Sequence, residues 1–193
     1  MYDLKTLAVG PYDNNVYIVS DPHSREALLI DAANEAPRIL RELDGLRVSH
    51  ILTTHGHPDH VQALEPVRAK TGARFSAHPD DDRLMPLALD HSIKDGEVFP
   101  FGEFQLKAIH TPGHTPGSVC FLIGDHLFTG DTLFPGGPGN TSGARASFPQ
   151  IIESIRSKLF ALPDEIQVLP GHGAPTTIGK ERPHLDEWIA RGW

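Results

Sequence analysis

The chain has 193 residues, 39% of them hydrophobic and 22% charged, the balance of a globular protein with one ordinary core rather than of a disordered chain. Its formal net charge is −8, so the basic footprint of a nucleic-acid binder is missing, and without a long apolar run nothing is expected to span a membrane. The single cysteine, Cys120, excludes an intrachain disulfide and suits a reducing cytoplasm, the expected location; residues 1–10 lack the basic-then-apolar layout of a secretory signal.

Val16 to Ser20, β-branched and aromatic, predicts a strand; Asp21-Pro22-His23-Ser24 makes a turn, and Ala27 to Ile30 resumes as strand. Asn34 to Asp44 predicts an amphipathic helix with Ile39, Leu40 and Leu43 on one side, Pro37 in its first turn and Gly45 past its end. His50 to Thr53 is a short apolar strand that feeds directly into Thr54-His55-Gly56-His57-Pro58-Asp59-His60. Val61 to Thr71 is helical in pattern, with Pro66 expected to kink or split it. Ala73 to Ala77 reads as strand. Pro79 to Met85 reads as a short acidic helix or turn whose Asp80-Asp81-Asp82 run is expected to be a solvated helix start. From Glu97 the pattern turns to β: Phe104 to Ile109, Ser118 to Ile123 and Leu127 to Thr129, with Gly124-Asp125 turning between the last two. Phe134 to Ser147, rich in Gly, Pro, Asn and Ser, reads as a long loop, and a loop of that length in a compact domain is more often functional than accidental. Ile151 to Leu159 predicts a helix, Ile166 to Leu169 a last strand, and Glu187 to Ala190 part of a closing helix. Strands alternating with helices, plus β-rich stretches, predict two sheets with helices outside them, in a single domain over residues 1–193.

Twelve histidines are many for this length, and their spacing gives the excess a meaning. In the Thr54–His60 stretch, Gly56 lets the backbone turn tightly and Pro58 stiffens the exit, so His55, His57, Asp59 and His60 leave the strand end together. Imidazole and carboxylate donors suit zinc, iron or manganese. Three further candidates follow apolar strands in turns rich in Gly and Pro: His114, within Thr111-Pro112-Gly113-His114-Thr115-Pro116-Gly117; Asp131, within Gly130-Asp131-Thr132; and His172, within Pro170-Gly171-His172-Gly173. Ligands on loops at the ends of rigid strands are held in position by the scaffold. A lone turn histidine is ordinarily a surface residue, but four such motifs would have to coincide here. A purely structural zinc would favour cysteine and close all its positions. Elsewhere His50 is expected to be structural, and His23, His78, His91, His126 and His184 to be surface residues; His110 either lines the site or is a satisfied strand-end histidine.

In this order and at these separations, T-H-G-H-P-D-H, P-G-H-T-P-G, G-D and P-G-H-G resemble the metallo-β-lactamase superfamily, and most of all its glyoxalase II-type branch, from about Asn14 to His172. The resemblance implies an α/β fold, a four-layer αββα sandwich, with a binuclear site at one edge of the two sheets. It implies a first metal on His55, His57 and His114, a second on Asp59, His60 and His172, Asp131 bridging the two, and Asp31 supporting the histidine turn from behind. Counting donors agrees: seven ligands with one shared give each ion four protein contacts. The expected cofactors are two divalent ions, zinc first, with iron or manganese as alternatives, holding a hydroxide that attacks a carbonyl. Asp59 and Asp131 are the carboxylates expected to serve catalysis as well as binding. No Ser or Cys nucleophile is then required, and Cys120, inside an apolar strand, is read as core.

The 134–147 loop follows Asp131 and is expected to reach over the metals, with Asn140 and Arg145 contacting substrate and Arg145 suited to a carboxylate or other anion. The expected activity is hydrolysis of a small-molecule thioester or ester. Glyoxalase II carries an additional C-terminal helical region that helps to bind glutathione, and only about twenty residues follow His172. That is too few for such a region and speaks against glutathione itself, while easy release of a thiolate favours a thioester: one of the hydroxyacylglutathione kind, or an analogue built on another thiol. Alternatives are a mononuclear iron persulfide dioxygenase, in which His55 or His57 with His114 and Asp131 holds the iron, a lactonase or β-lactamase, and a metal-binding protein without catalysis. The net charge argues against nucleic-acid cleavage.

Overall fold

The computed structural model describes residues 1–192. The first half of the chain builds a sheet in which sequence order is also spatial order: β1 (Asp3–Val9), β2 (Asn14–Ser20), β3 (Glu26–Ile30), β4 (Arg47–Leu52), β5 (Arg74–Ala77) and β6 (His91–Ser92). The first three run antiparallel, and β3 to β6 are parallel neighbours, with α1 (Ala36–Glu42) and α2 (Leu64–Thr71) in the crossovers before β4 and β5. The second sheet contains the antiparallel meander β7 (Val98–Phe101), β8 (Phe104–His110), β9 (Val119–Ile123) and β10 (His126–Gly130). A two-stranded ribbon of β11 (Leu133–Phe134) and β12 (Gly137–Pro138) follows. Then α3 (Phe148–Ser154), prolonged by a π turn over Ile155–Leu159, leads into β13 (Gln167–Pro170), which lies parallel to β10 and pairs with β14 (Thr176–Thr177). Helices α4 (Ile178–Glu181) and α5 (Leu185–Arg191) close the described chain, in which no helix is long and apolar enough to cross a membrane.

Side chains alternate across each strand, and that alternation creates the layers. From β2, Tyr17 and Val19 face a central core with Leu28, Ile30 and Leu52 of the same sheet and Phe121, Phe128 and Leu169 of the other. Their neighbours Val16, Ile18, Leu29 and Ile51 face the opposite way, onto Ile39 of α1 and Leu64 and Val67 of α2. In β9 the same switch sends Val119 and Phe121 inward and Cys120 outward, against Ile151 and Ile152 of α3 and Trp188 of α5. Three apolar seams between four layers make this the αββα sandwich of the metallo-β-lactamase fold.

Two helices differ from expectation. Pro66 neither kinks nor splits a helix over 61–71: a 3-10 helix over Pro58–His60 and a turn over 61–63 come first, α2 starts at Leu64, and Pro66 sits in its first turn, where its missing N–H has no helical acceptor to lose. The helix expected at Ile151 begins at Phe148, with Pro149 in its first turn. The 134–147 stretch is not wholly loop, since it contains the β11–β12 ribbon.

Candidate metal centre

Five chain segments bring side chains to one edge of the sandwich. Four leave the C-terminal ends of β3, β4, β10 and β13, and the fifth is the turn from β8 to β9. The first of these carries Asp31, a buried residue whose backbone is left-handed at φ 56°, a conformation costly for a non-glycine residue. The turn is held because its carboxylate accepts from Thr54 N and Thr54 Oγ1, both at 2.7 Å, and from His60 Nδ1 at 2.9 Å. Thr54 Oγ1 in turn meets His55 Nδ1 at 3.1 Å. One aspartate thus sets the exit of the β4 turn and orients two of its histidines.

The seven residues singled out in the sequence converge. His57 Nδ1 lies 3.1 Å from His55 Nε2 and 2.9 Å from His114 Nε2. Beside this trio, His60 Nε2 and His172 Nε2 are 3.2 Å apart, and Asp59 Oδ2 is 3.3 Å from the latter and 3.6 Å from the former. Asp131 stands between the groups, with Oδ2 3.5 Å from His114 Nε2 and 3.6 Å from His172 Nε2, and Oδ1 3.4 Å from His60 Nε2. Outward-facing nitrogens have their own acceptors: His114 Nδ1 donates to Asn140 O at 2.7 Å and His172 Nδ1 to Tyr12 O at 2.8 Å. A ring nitrogen that donates outward leaves its partner nitrogen as a lone pair pointing inward, as a metal requires. Asp59 is steadied by Asn14 Nδ2 at 2.9 Å.

This donor set fits a cation. Asp131 Oδ1 is buried and has no hydrogen-bond partner, an arrangement that is expensive unless positive charge compensates it. Burial alone would raise the Asp131 carboxyl, but the close approach of His60 and the fields of His55, His60 and His114 hold it far below the usual carboxylate range. Burial, with His60 next to it, pushes His55 well below the ordinary histidine value, so it stays neutral and able to ligate. Burial would also lower His60, yet the nearby Asp131 carboxylate and the bond to Asp31 carry it up to about 10. Gly171 makes room: a Cβ there would land on Asp131 Oδ1 and come within 2.8 Å of His60 Cε1. His57, Asp59 and His172 are partly exposed, so the cluster opens to solvent on one side.

A sequence-family profile described as the metallo-beta-lactamase superfamily matches residues 9–172. The chain belongs to this superfamily. It is 30% identical to the hydroxyacylglutathione hydrolase GloC of Haemophilus influenzae, over 93% of this chain and 95% of that one. It is 37% identical to the mitochondrial persulfide dioxygenase ETHE1 of Homo sapiens, over 86% of this chain and 68% of that one. Among solved structures, TTHA1623 in a di-iron-bound form superposes with a TM-score of 0.81 at 31% identity, over 92% of this chain and 96% of that one. The superfamily binds metal ions, and the His/Asp clusters described above are where this member can do so.

For a chain of this superfamily, several side chains outside the seven are placed in ways the sequence did not indicate. Asn140 meets the centre through its backbone carbonyl, while its side chain accepts from Ser142 N. Arg145 is exposed and donates to Asp80 O at 3.2 Å. His110 does not join the cluster: it donates to Pro116 O and stacks on His78, centroids 3.8 Å apart and planes 9° from parallel. His78 is therefore half-buried rather than a surface residue, and Asp80 next to it completes a second His/Asp group. Parallel rings cannot both aim in-plane lone pairs at one ion, so as arranged that group does not suit coordination. His91 pairs with Glu97 and His126 with Tyr2, both half-buried, while His23 and His184 are exposed and His50 bonds Ser76. The acidic run is a correction. Asp81, expected to be solvated, is fully buried between the turn that carries His55 and His57 and the turn that carries His114. Asn14, Tyr12 and Asp81 had no local sequence signal, because each reaches the centre from a distant element.

Proposed function

We propose that the chain is a thioesterase of the glyoxalase II kind that binds two divalent ions, one on His55, His57, His114 and Asp131 and one on Asp59, His60, His172 and the same Asp131. The observation that carries this reading is the second group of donors. Asp59, His60 and His172 are each steadied by a separate partner, Asn14, Asp31 and the Tyr12 carbonyl, which is the support expected of a working metal ligand. When bound, a pair of divalent ions supplies Lewis acidity and brings the pKa of a coordinated water down to about 7. The chain's own part is orientation. Asp31 and the carbonyls of Asn140 and Tyr12 hold the imidazoles in one tautomer, and Asp131 faces both groups with its two oxygens. A thioester suits a site whose facing acids and bases are committed as ligands, because a thiolate departs without first taking a proton. Arg145, on the 134–147 loop, is the proposed contact for an anionic end of the substrate. Zinc is the proposed metal, with iron and manganese compatible with the same donors.

A second reading, a mononuclear iron persulfide dioxygenase, is favoured by the 37% identity to ETHE1. Metal analysis of the purified chain, joined to assays with a hydroxyacylglutathione thioester and with a persulfide, separates the two. Two ions per chain and thioester turnover are expected; one iron per chain with oxygen consumed in step with persulfide would overturn the hydrolase.

A further inference from the structure

Asp81 sits on the 3-10 turn Pro79–Leu84, fully buried, with the His55–His57 turn on one side and the His114 turn on the other. Its Oδ2 accepts from Gly56 N at 2.9 Å and from Thr115 Oγ1 at 2.6 Å, and its Oδ1 accepts from Gly117 N at 2.7 Å. Gly56 lies between His55 and His57, and Thr115 directly follows His114. The three residues of the first donor group therefore hang from two chain segments that one carboxylate ties together, and that carboxylate belongs to none of the groups able to hold an ion. The approach is close: a Cβ on residue 117 would come within 2.6 Å of Asp81 Cγ and 2.7 Å of its backbone nitrogen. Thr115 is locked further by Ser118, whose Oγ lies 2.8 Å from Thr115 Oγ1 and 3.0 Å from Thr115 N. A buried carboxylate is tolerated when its oxygens are satisfied, and three donors from two turns satisfy this one.

We propose that Asp81 is a positioning residue for the first half-site, fixing the separation of the His55/His57 turn from the His114 turn and so setting the affinity of that half-site without touching the ion. Asp81 bonds none of the groups that steady the second half-site, which are Asn14, Asp31 and the Tyr12 carbonyl, so its effect is expected to fall on one ion. This rests on the two-ion reading given above. Fixing ligand geometry from behind typically changes metal affinity ten- to a hundredfold.

The test is Asp81→Asn, which keeps one acceptor oxygen and turns an NH2 toward a donor. Zn2+ affinities are measured by competition with a chromophoric chelator, alongside the thermal midpoint of the metal-free chain. The expected result is a loss of about tenfold or more for one ion, with the other within about twofold of wild type. The loss is expected to be additive with His172→Ala, which strikes the second half-site, and to be masked by His57→Ala, which strikes the first. Thr115→Val, nearly isosteric and lacking only the hydroxyl bond, is expected to weaken the same ion by a smaller factor and decides the matter if Asp81→Asn does not fold. A lower thermal midpoint with both affinities unchanged, or an equal loss at both ions, would overturn the proposal. A wild-type chain that binds one ion sinks the two-ion reading instead; Asp81 then stands or falls on whether Asp81→Asn weakens that ion.

Discussion

The two halves of the candidate metal centre share a construction, a rigid strand that ends in a tight turn, yet differ in chemistry. The first, His55, His57 and His114, is three imidazoles packed with nitrogens about 3 Å apart. Burial keeps His55 neutral, and the turns are held by backbone and hydroxyl bonds to Asp81 rather than by charge on the rings. The second, Asp59, His60 and His172, is rich in carboxylate: Asp31 and Asp131 flank His60 and raise it to about 10. Without metal, then, His55 and His57 in the first half are held towards the neutral form, whereas His60 in the second is held towards the protonated one. Placing neutral rings needs only backbone geometry; placing a carboxylate-flanked ring also demands charge balance.

Asp131 belongs to both halves, so removing it should erase the difference. Asp131→Asn is expected to weaken both ions and to cut thioester turnover by at least about a hundredfold, checked by metal titration and initial rates. Retention of two tight ions would mean that the aspartate is not shared. Gly171→Ala should break the comparison on one side, because the added methyl meets Asp131 Oδ1 and the His60 ring. Loss of the His60-side ion by about ten- to a hundredfold, with the His55-side ion less affected, is the expected titration. Asn14→Ala releases only one oxygen of Asp59 and should weaken the second ion a few-fold while sparing the first; an equal effect on both would show the halves to be one coupled unit.

The smallest effect concerns a group that serves neither half. Burial pushes the Cys120 thiol up to about 11, so at pH 8 about one part in a thousand is thiolate. The native chain should resist thiol reagents at that pH and react at once in denaturant, where the pKa returns to about 8.5. Because the folded value is the higher one, the protonated thiol's contribution to stability is complete below about 8.5 and is lost as pH rises towards 11. Rapid labelling of the folded protein at pH 8 would place Cys120 outside the core.

Much of this was legible in the chain before any coordinates. Val16 to Ser20 announces itself as an unbroken β-branched and aromatic run, because β2 is buried on both faces, whereas Phe104 to Ile109 shows the period of two that one solvent-facing side imposes. The edges are weaker: β1 buries little beyond Leu7 and Val9, and β7 contains Pro100, so neither carries a clear pattern. The seven site residues are legible for a related reason. A tight turn that must present a ligand needs Gly or Pro beside it, so the motif is written within a few consecutive residues.

Tertiary structure decided what lies behind those motifs. The acidic run at 80–82 has the composition of a solvated helix start, and only the packing of the 79–84 turn between two ligand loops reveals that Asp81 is buried while Asp80 is exposed. The tautomers of His114 and His172 are set by the backbone carbonyls of Asn140 and Tyr12, atoms that every residue type possesses and that leave no trace in a sequence. Which candidate donors come together is likewise a matter of strand order, since β4, β8–β9, β10 and β13 meet at one edge only when two sheets stack. The sequence by itself brought out the candidate donors, because their chemistry is local. Their grouping and support came from the fold, because both depend on contacts between residues as far apart as Tyr12 and His172.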